Sequence, residues 1–245
     1  MAFDLVVDLA RLALFVAGAW AAIGVWARLA RPPWARRLTH RRLTVVALLV
    51  LAAVAAKVTE DVVAHESGPV DTLLLWWVRD HVPAALAGFF AAVTLSGSAA
   101  FPTSATVLAT IAFVIGRHRF EAALLAASML TAVLFVYGLK TVTARSRPAL
   151  WENAWSQLYW GSSFPSGHTL CTATFSTALA LCVARLRPRL RTAALAIAIV
   201  WSALVALSRL VLGVHWPSDV LAALCLGFFI PLAISVAFDA RRLHA

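Results

Sequence analysis

The chain has 245 residues, 62% of them hydrophobic and only 13% charged, with a formal net charge of +10. A soluble core of this size could not hide so much apolar surface, and soluble domains carry roughly twice that charge density. The positive charge does not make a nucleic-acid surface either: the basic residues sit in short clusters between apolar runs, as in membrane proteins, not along one face of a polar domain. The composition points to an all-α bundle of membrane helices.

Apolar runs of helical length fall at 9–27, 43–58, 99–116, 120–140, 168–184, 192–212 and 217–238. The first follows Asp4, Asp8 and Arg11 with no small-residue cleavage site, and reads as a retained helix. Basic clusters separate the runs: Arg28, Arg31, Arg36, Arg37, Arg41 and Arg42; Arg117 and Arg119; Arg185, Arg187, Arg189 and Arg191; Arg241 and Arg242. Together these hold 14 of the 21 Lys and Arg residues. With all four clusters in the cytoplasm, seven spans run from an outer N-terminus to an inner C-terminus. Lys140, Arg145, Arg147 and Arg209 then fall at outer helix ends, against the orienting rule, so something there uses positive charge.

The stretch 59–98 begins with Glu60, Asp61, Glu66 and Asp71, which suit an outer loop. Two apolar pieces follow, interrupted by Arg79, Asp80 and Pro83. They read as interfacial amphipathic helices at about 70–97, with Trp76 and Trp77 at headgroup level, or else as a re-entrant hairpin. Ser96-Gly97-Ser98 marks a turn. In the loop 149–164, Trp151, Trp155, Tyr159 and Trp160 form an aromatic belt or a lid over the lipid headgroup. Cys171, Cys182 and Cys225 lie inside apolar runs without metal-ligand spacing and read as small core residues. His40, His65, His81, His118 and His244 read as plain interfacial residues, and Arg145 as a headgroup or phosphate contact or an interfacial anchor.

Three segments carry ionisable residues where a membrane protein normally avoids them: Lys140 with Arg147-Pro148, Pro165-Ser166-Gly167-His168, and Ser208-Arg209 followed by His215 and Asp219. In the seven-span path all three lie at outer helix ends and can converge. Lys140, Arg147 and Arg209 supply three cations, enough to hold a phosphoryl group and to neutralise its transition state. Ser166 and Gly167 open an apolar run, a helix start whose amides point at an anion, and Gly167 lets a phosphate approach the backbone. His168 and His215 provide two imidazoles, one to attack phosphorus and one to protonate the leaving oxygen. Asp219, four residues beyond His215, can fix the tautomer of one ring, and Pro217 starts the last helix between them.

Together the three segments resemble the signature of the type-2 phosphatidic acid phosphatase superfamily: Lys-x6-Arg-Pro, Pro-Ser-Gly-His, Ser-Arg-x5-His-x3-Asp. The match is complete and in order, and the resemblance covers about residues 70–238. It implies a six-helix core with the site on the outer face, to which the run at 9–27 is an addition. Residues 1–42 would then be an extra helix and basic cytoplasmic loop, and 43–245 the phosphatase domain. It further implies that His215 becomes a phosphohistidine with Asp219 orienting it, and that His168 is the general acid. Lys140, Arg147, Ser166, Gly167 and Arg209 would bind the phosphoryl oxygens, with neither metal nor cofactor.

The expected partners are the membrane and a phospholipid or polyprenyl phosphate substrate, with no nucleic acid. Undecaprenyl diphosphate is the favoured substrate. Phosphatidylglycerophosphate, phosphatidic acid, lipid A phosphate and phosphoryl transfer between lipids are the alternatives. Haloperoxidase chemistry, which the resemblance also brings, and a non-catalytic lipid-binding protein stand further off.

Overall fold

The computed structural model describes residues 2–30, 42–151, 155 and 160–241. Arg31, Arg36, Arg37, His40, Arg41, Tyr159, Arg242 and His244 lie outside the described residues. Nine α-helices account for most of what is described: α1 (Ala2–Ala30), α2 (Arg42–Val63), α3 (Gly68–His81), α4 (Ala87–Ser96), α5 (Ala100–Ile115), α6 (Arg119–Thr143), α7 (Gly167–Leu186), α8 (Arg191–Val211) and α9 (Pro217–Arg241). No strand occurs among the described residues.

Among the described residues, six stretches are long and apolar enough to cross a membrane: α2, 84–115, α6, α7, 188–211 and 217–240. The apolar part of α1, Ala13–Trp26, is shorter, and α1 packs against α2. Large aliphatic side chains such as Leu43, Leu108, Leu130 and Ile197 stand exposed around the outside. That surface suits hydrocarbon and would be a liability in water. The protein is an integral membrane protein.

At α4 the structure refines the expectation. The segment 84–96 is not a helix lying on the interface but the start of a stretch that continues through α5. Thr94, Ser96 and Gly97 meet Arg209, Trp201 and Val205 of α8, so the end of α4 packs against α8, with Phe90 and Thr94 buried. A Cβ on Gly97 would lie 2.5 Å from a Val205 methyl, so the turn at 96–99 is tight because α8 passes against it. Pro83 and the charged pair Arg79-Asp80 end α3, and the apolar residues after them enter the bundle. Helix α3 itself is the amphipathic one expected, with Trp76 and Trp77 partly exposed.

Helix α7 is the axis of the bundle. Two thirds of its apolar window is buried, against 39% or less in the other five stretches. Its inward face is small and hydroxylated, with Thr169, Thr172, Thr174, Ser176 and Thr177 all buried. Small residues let backbones approach where hydrocarbon offers no hydrophobic drive, and hydroxyls link helices; Ser176 Oγ lies 3.1 Å from Ser202 Oγ on α8. The closest approach is to α9, where a Cβ on Gly227 would come within 2.5 Å of the Ala173 Cβ and 3.0 Å of the Leu170 carbonyl oxygen. The α7–α9 spacing therefore depends on this glycine.

Candidate active site

All three sequence segments meet at one end of the bundle: at the end of α6 and the loop after it, at the start of α7, and across the turn from α8 to α9. The described arginine clusters, Arg42, Arg117, Arg119, Arg185, Arg187, Arg189 and Arg191, lie at helix ends on the opposite side. His168 lies within electrostatic reach of Arg209, His215, Arg147 and Lys140, which places all four around it.

His215 is 2% exposed and sits just before α9, which begins at Pro217 as expected. Its Nδ1 is 3.2 Å from Asp219 Oδ2, and Arg147 Nη1 lies 3.2 Å from its Nε2. A guanidinium can only donate, so Nε2 must be the acceptor and the ring proton sits on Nδ1, facing the carboxylate. These two neighbours select one neutral tautomer. Burial drives the His215 pKa down to about 4 against the opposing pull of Asp219, with Arg209 and Arg147 adding to the fall. At neutral pH the ring is uncharged and presents the Nε2 lone pair.

Asp219 is fully buried, with its acceptor sites occupied. Oδ2 accepts from the Trp216 amide at 2.9 Å as well as facing His215, and Oδ1 accepts from Arg145 Nη1 at 2.6 Å. Its carbonyl accepts from the Ser166 amide at 3.2 Å, tying the start of α7 to α9. The Ser166 oxygen accepts from Thr169 Oγ1 at 3.1 Å, leaving the serine's own proton to donate elsewhere. Helix α7 begins at Gly167, as its sequence predicts.

Among the cations, Arg147 Nη1 also donates to the Val214 carbonyl at 2.8 Å. Lys140 Nζ donates to the Ser162 carbonyl. Arg209 has no exposed surface, and its Nη1 donates to Thr94 Oγ1 at 2.5 Å.

Two residues stand in places sequence reasoning did not assign. Arg145, expected as a headgroup or phosphate contact or an interfacial anchor, is largely buried and bridges two carboxylates, Asp219 at 2.6 Å and Asp71 at 2.5 Å. Asp71 is not in an outer loop. It is 2% exposed, lies in the first turn of α3, and accepts from the Ser218 amide at 2.8 Å and the Ser218 hydroxyl at 2.6 Å. A signal was available, because Asp71, Leu75 and Val78 are the buried positions of α3 and recur at helical spacing. A carboxylate in an apolar stripe needs a partner inside the fold.

In the loop after α6, Trp151 packs against Trp76 of α3 with ring centroids 5.3 Å apart, and the Arg79 guanidinium lies 4.3 Å from the Trp151 ring. His81 is stacked on Trp77.

The family model of the PAP2 superfamily, the phosphatidic acid phosphatase type-2 group, matches residues 121–243, half of the chain. The chain belongs to the PAP2 superfamily. Phosphatidylglycerophosphatase B of Escherichia coli is 48% identical over 63 residues, 26% of this chain and 24% of that protein. Lipid A 1-phosphatase of Rhizobium etli is 35% identical over 102 residues, 42% of this chain and 36% of that protein. The matched stretch thus spans about a quarter of the length of the first relative. Among solved structures, a transmembrane PAP2-type phosphatidylglycerolphosphate phosphatase from Bacillus subtilis superposes with a TM-score of 0.68 at 22% identity, covering 79% of this chain and 96% of that one. LpxE of Aquifex aeolicus superposes with a TM-score of 0.53 at 24% identity, over 68% and 94% of the two chains. At such identities the likeness is one of fold. It places this PAP2 protein among helical membrane proteins of the superfamily.

Proposed function

We propose that this PAP2 protein is a lipid phosphate phosphatase that works through a phosphohistidine on the outer face of the bacterial cytoplasmic membrane. The observation that carries the reading is the convergence of two imidazoles and three cations at one end of the bundle, with one imidazole held neutral and oriented by a buried carboxylate. In the first step the His215 Nε2 lone pair attacks phosphorus and the bond from phosphorus to the leaving oxygen breaks. His168 donates a proton to that oxygen, which leaves as a lipid alcohol, or as a lipid monophosphate when the substrate is a diphosphate. In the second step His168 takes a proton from water, whose oxygen attacks phosphorus. The phosphorus–Nε2 bond breaks and inorganic phosphate leaves.

Lys140, Arg147 and Arg209 would face the phosphoryl oxygens, helped by the first-turn amides from Gly167 and the Ser166 hydroxyl. An arriving phosphoryl group would draw Arg147 from Nε2 onto its own oxygens, uncovering the nucleophile as the substrate seats. The basic clusters at the opposite end support a cytoplasmic placement of that end, and hence an outer-leaflet site, with α1 as a seventh span.

The stretches shared with phosphatidylglycerophosphatase B and lipid A 1-phosphatase support lipid phosphate hydrolysis as the reaction class. Phosphatidylglycerophosphate and lipid A phosphate therefore join undecaprenyl diphosphate and phosphatidic acid as substrates to compare. The test is phosphate release from these four lipids in detergent, with EDTA present. Turnover of at least one is expected to survive chelation, and His215→Ala to reduce it about a thousandfold or more, as removal of a covalent nucleophile does. Phosphate release unchanged in His215→Ala would sink the reading.

A further inference from the structure

At the end of the bundle away from the site lies a cavity of about 500 Å³ that includes Arg42, Arg185 and Arg191 in its wall, with Thr44 and Ser235 adding hydroxyls. Two carboxylates belong to the same neighbourhood, and both are engaged: Glu121 and Asp239 each lie 3.2 Å from Arg185. No carboxylate among the described residues pairs with Arg191. Counting the described residues at this end, Arg117, Arg119, Arg187 and Arg189 add to the three lining arginines, so cations far outnumber the two acids.

The cavity does not end at its polar wall. Leu43 and Leu232 also line a second space of about 540 Å³, whose walls include Val46, Val50, Leu195 and Phe228 and are almost wholly apolar. This groove opens sideways between α2 and α8, two helices that scarcely touch each other, and is floored by α7 and α9. A cationic chamber at a helix end, continuous with an apolar groove toward mid-membrane, has the shape and polarity of a phospholipid.

We propose that this is a binding site for one anionic phospholipid of the leaflet opposite the active site. Its phosphodiester would lie among Arg42, Arg185 and Arg191, and an acyl chain would fill the groove between α2 and α8. Basic pockets between membrane helices hold anionic headgroups in this way. The bound lipid is not the substrate, because Arg185 and His168 stand at opposite ends of α7, about 25 Å apart at 1.5 Å rise per residue. The proposal does not depend on the reaction assigned above.

The test is native mass spectrometry of the full chain, delipidated in detergent and titrated with phosphatidylglycerol or phosphatidylcholine. Phosphatidylglycerol is expected to bind at one site about tenfold more tightly than phosphatidylcholine. The doubly substituted Arg42→Ala/Arg191→Ala, at two exposed positions, should lose about that preference, a worth comparable to basic residues near an anionic surface. Ala47 also lines the groove, so Ala47→Phe narrows it and should weaken both lipids, whereas Lys140→Ala should bind as the wild type does. Glycerophosphoglycerol, the headgroup without chains, should not compete at about a hundredfold excess, because the chain supplies much of the affinity. Equal binding of the two lipids overturns the proposal, and so does a double variant that keeps the preference. Loss of binding in Lys140→Ala would move the lipid to the active site, and displacement by the free headgroup would make the ligand a soluble one; either result also overturns it.

Discussion

Arg145→Lys separates two roles that Arg145 could play: holding Asp219 in place or touching the substrate phosphate. Arg145 is 14% exposed at its side chain, with Asp71 at 3% and Asp219 at 0%, so solvent screens little of the interaction. Its fork reaches both carboxylates at once, and the same two nitrogens also donate to Ser67 and Ser218 at 2.9 and 2.7 Å. Lysine keeps the charge but offers one nitrogen, which cannot span both acids with that geometry. The substitution therefore removes a charge-assisted hydrogen bond, about 1.5–3 kcal/mol. If the loss falls on Asp219, the carboxylate is free to turn away from His215 Nδ1, and the imidazole loses its preferred tautomer. Converted to rate, that is roughly a 10- to 100-fold fall in kcat. The assay is phosphate release across a range of lipid phosphate concentrations in detergent, and KM should stay within about twofold, because the groups proposed to face the phosphate are untouched. A raised KM with unchanged kcat would mean that Arg145 meets the phosphate after all. If neither constant moves, the bridge does not position Asp219 and the reasoning fails.

With His215 at about 4, an activity that needs its neutral ring is present above that value and lost as pH falls through it. The acid limb of kcat/KM should therefore lie near pH 4, and a limb near the ordinary histidine value of about 6.5 would contradict the burial argument. Gly227→Ala places a methyl 2.5 Å from the Ala173 Cβ, which must push α7 and α9 apart. The expected destabilisation is about 1–3 kcal/mol, and a thermal inactivation midpoint equal to that of the wild type would show that the helices are not in such contact. Thr94→Val removes an acceptor of Arg209 Nη1. At about 1.5–3 kcal/mol for a hydrogen bond to a charged group, inhibition by inorganic phosphate should weaken about tenfold, and an unchanged inhibition constant would deny Thr94 a part in aiming Arg209.

What the sequence made legible is what is local along the chain. Apolar runs gave the spans, and Pro165 to His168 and Pro217 marked the two helix starts that frame the site. The orientation of His215 was readable because Asp219 lies four residues on, within one helical turn. The unread parts are pairings across long separations. Thr94 meets Arg209 115 positions away, and Asp71 meets Arg145 74 positions away. Neither pairing leaves a trace in periodicity beyond a polar residue where an apolar one is expected. For Asp71 that trace was masked by the acidic residues before it, which together suggested a loop. Helix α4 was misplaced for a related reason: the charges and proline that end α3 suggested an interfacial break, and nothing local told that the chain turns inward there to lie along α8.

The bridge from Asp71 through Arg145 to Asp219 does not earn its place by stability. Desolvating a buried ion pair costs about as much as the attraction returns, and apolar residues of similar volume often serve the fold as well or better. What the bridge supplies is direction. Asp71 binds both the side chain and the amide of Ser218, so it grips the first turn of α9 from the α3 side, while Arg145 grips Asp219 from the loop after α6. Three elements are thereby fixed around one carboxylate, on the side away from His215. Apolar packing could hold those elements together but could not fix the angle of a carboxylate, since dispersion contacts are non-directional and hydrogen bonds are not. In the proposed mechanism the His215 imidazole must meet phosphorus in line, and a charged bridge can set the angle this needs where apolar residues would serve only the fold.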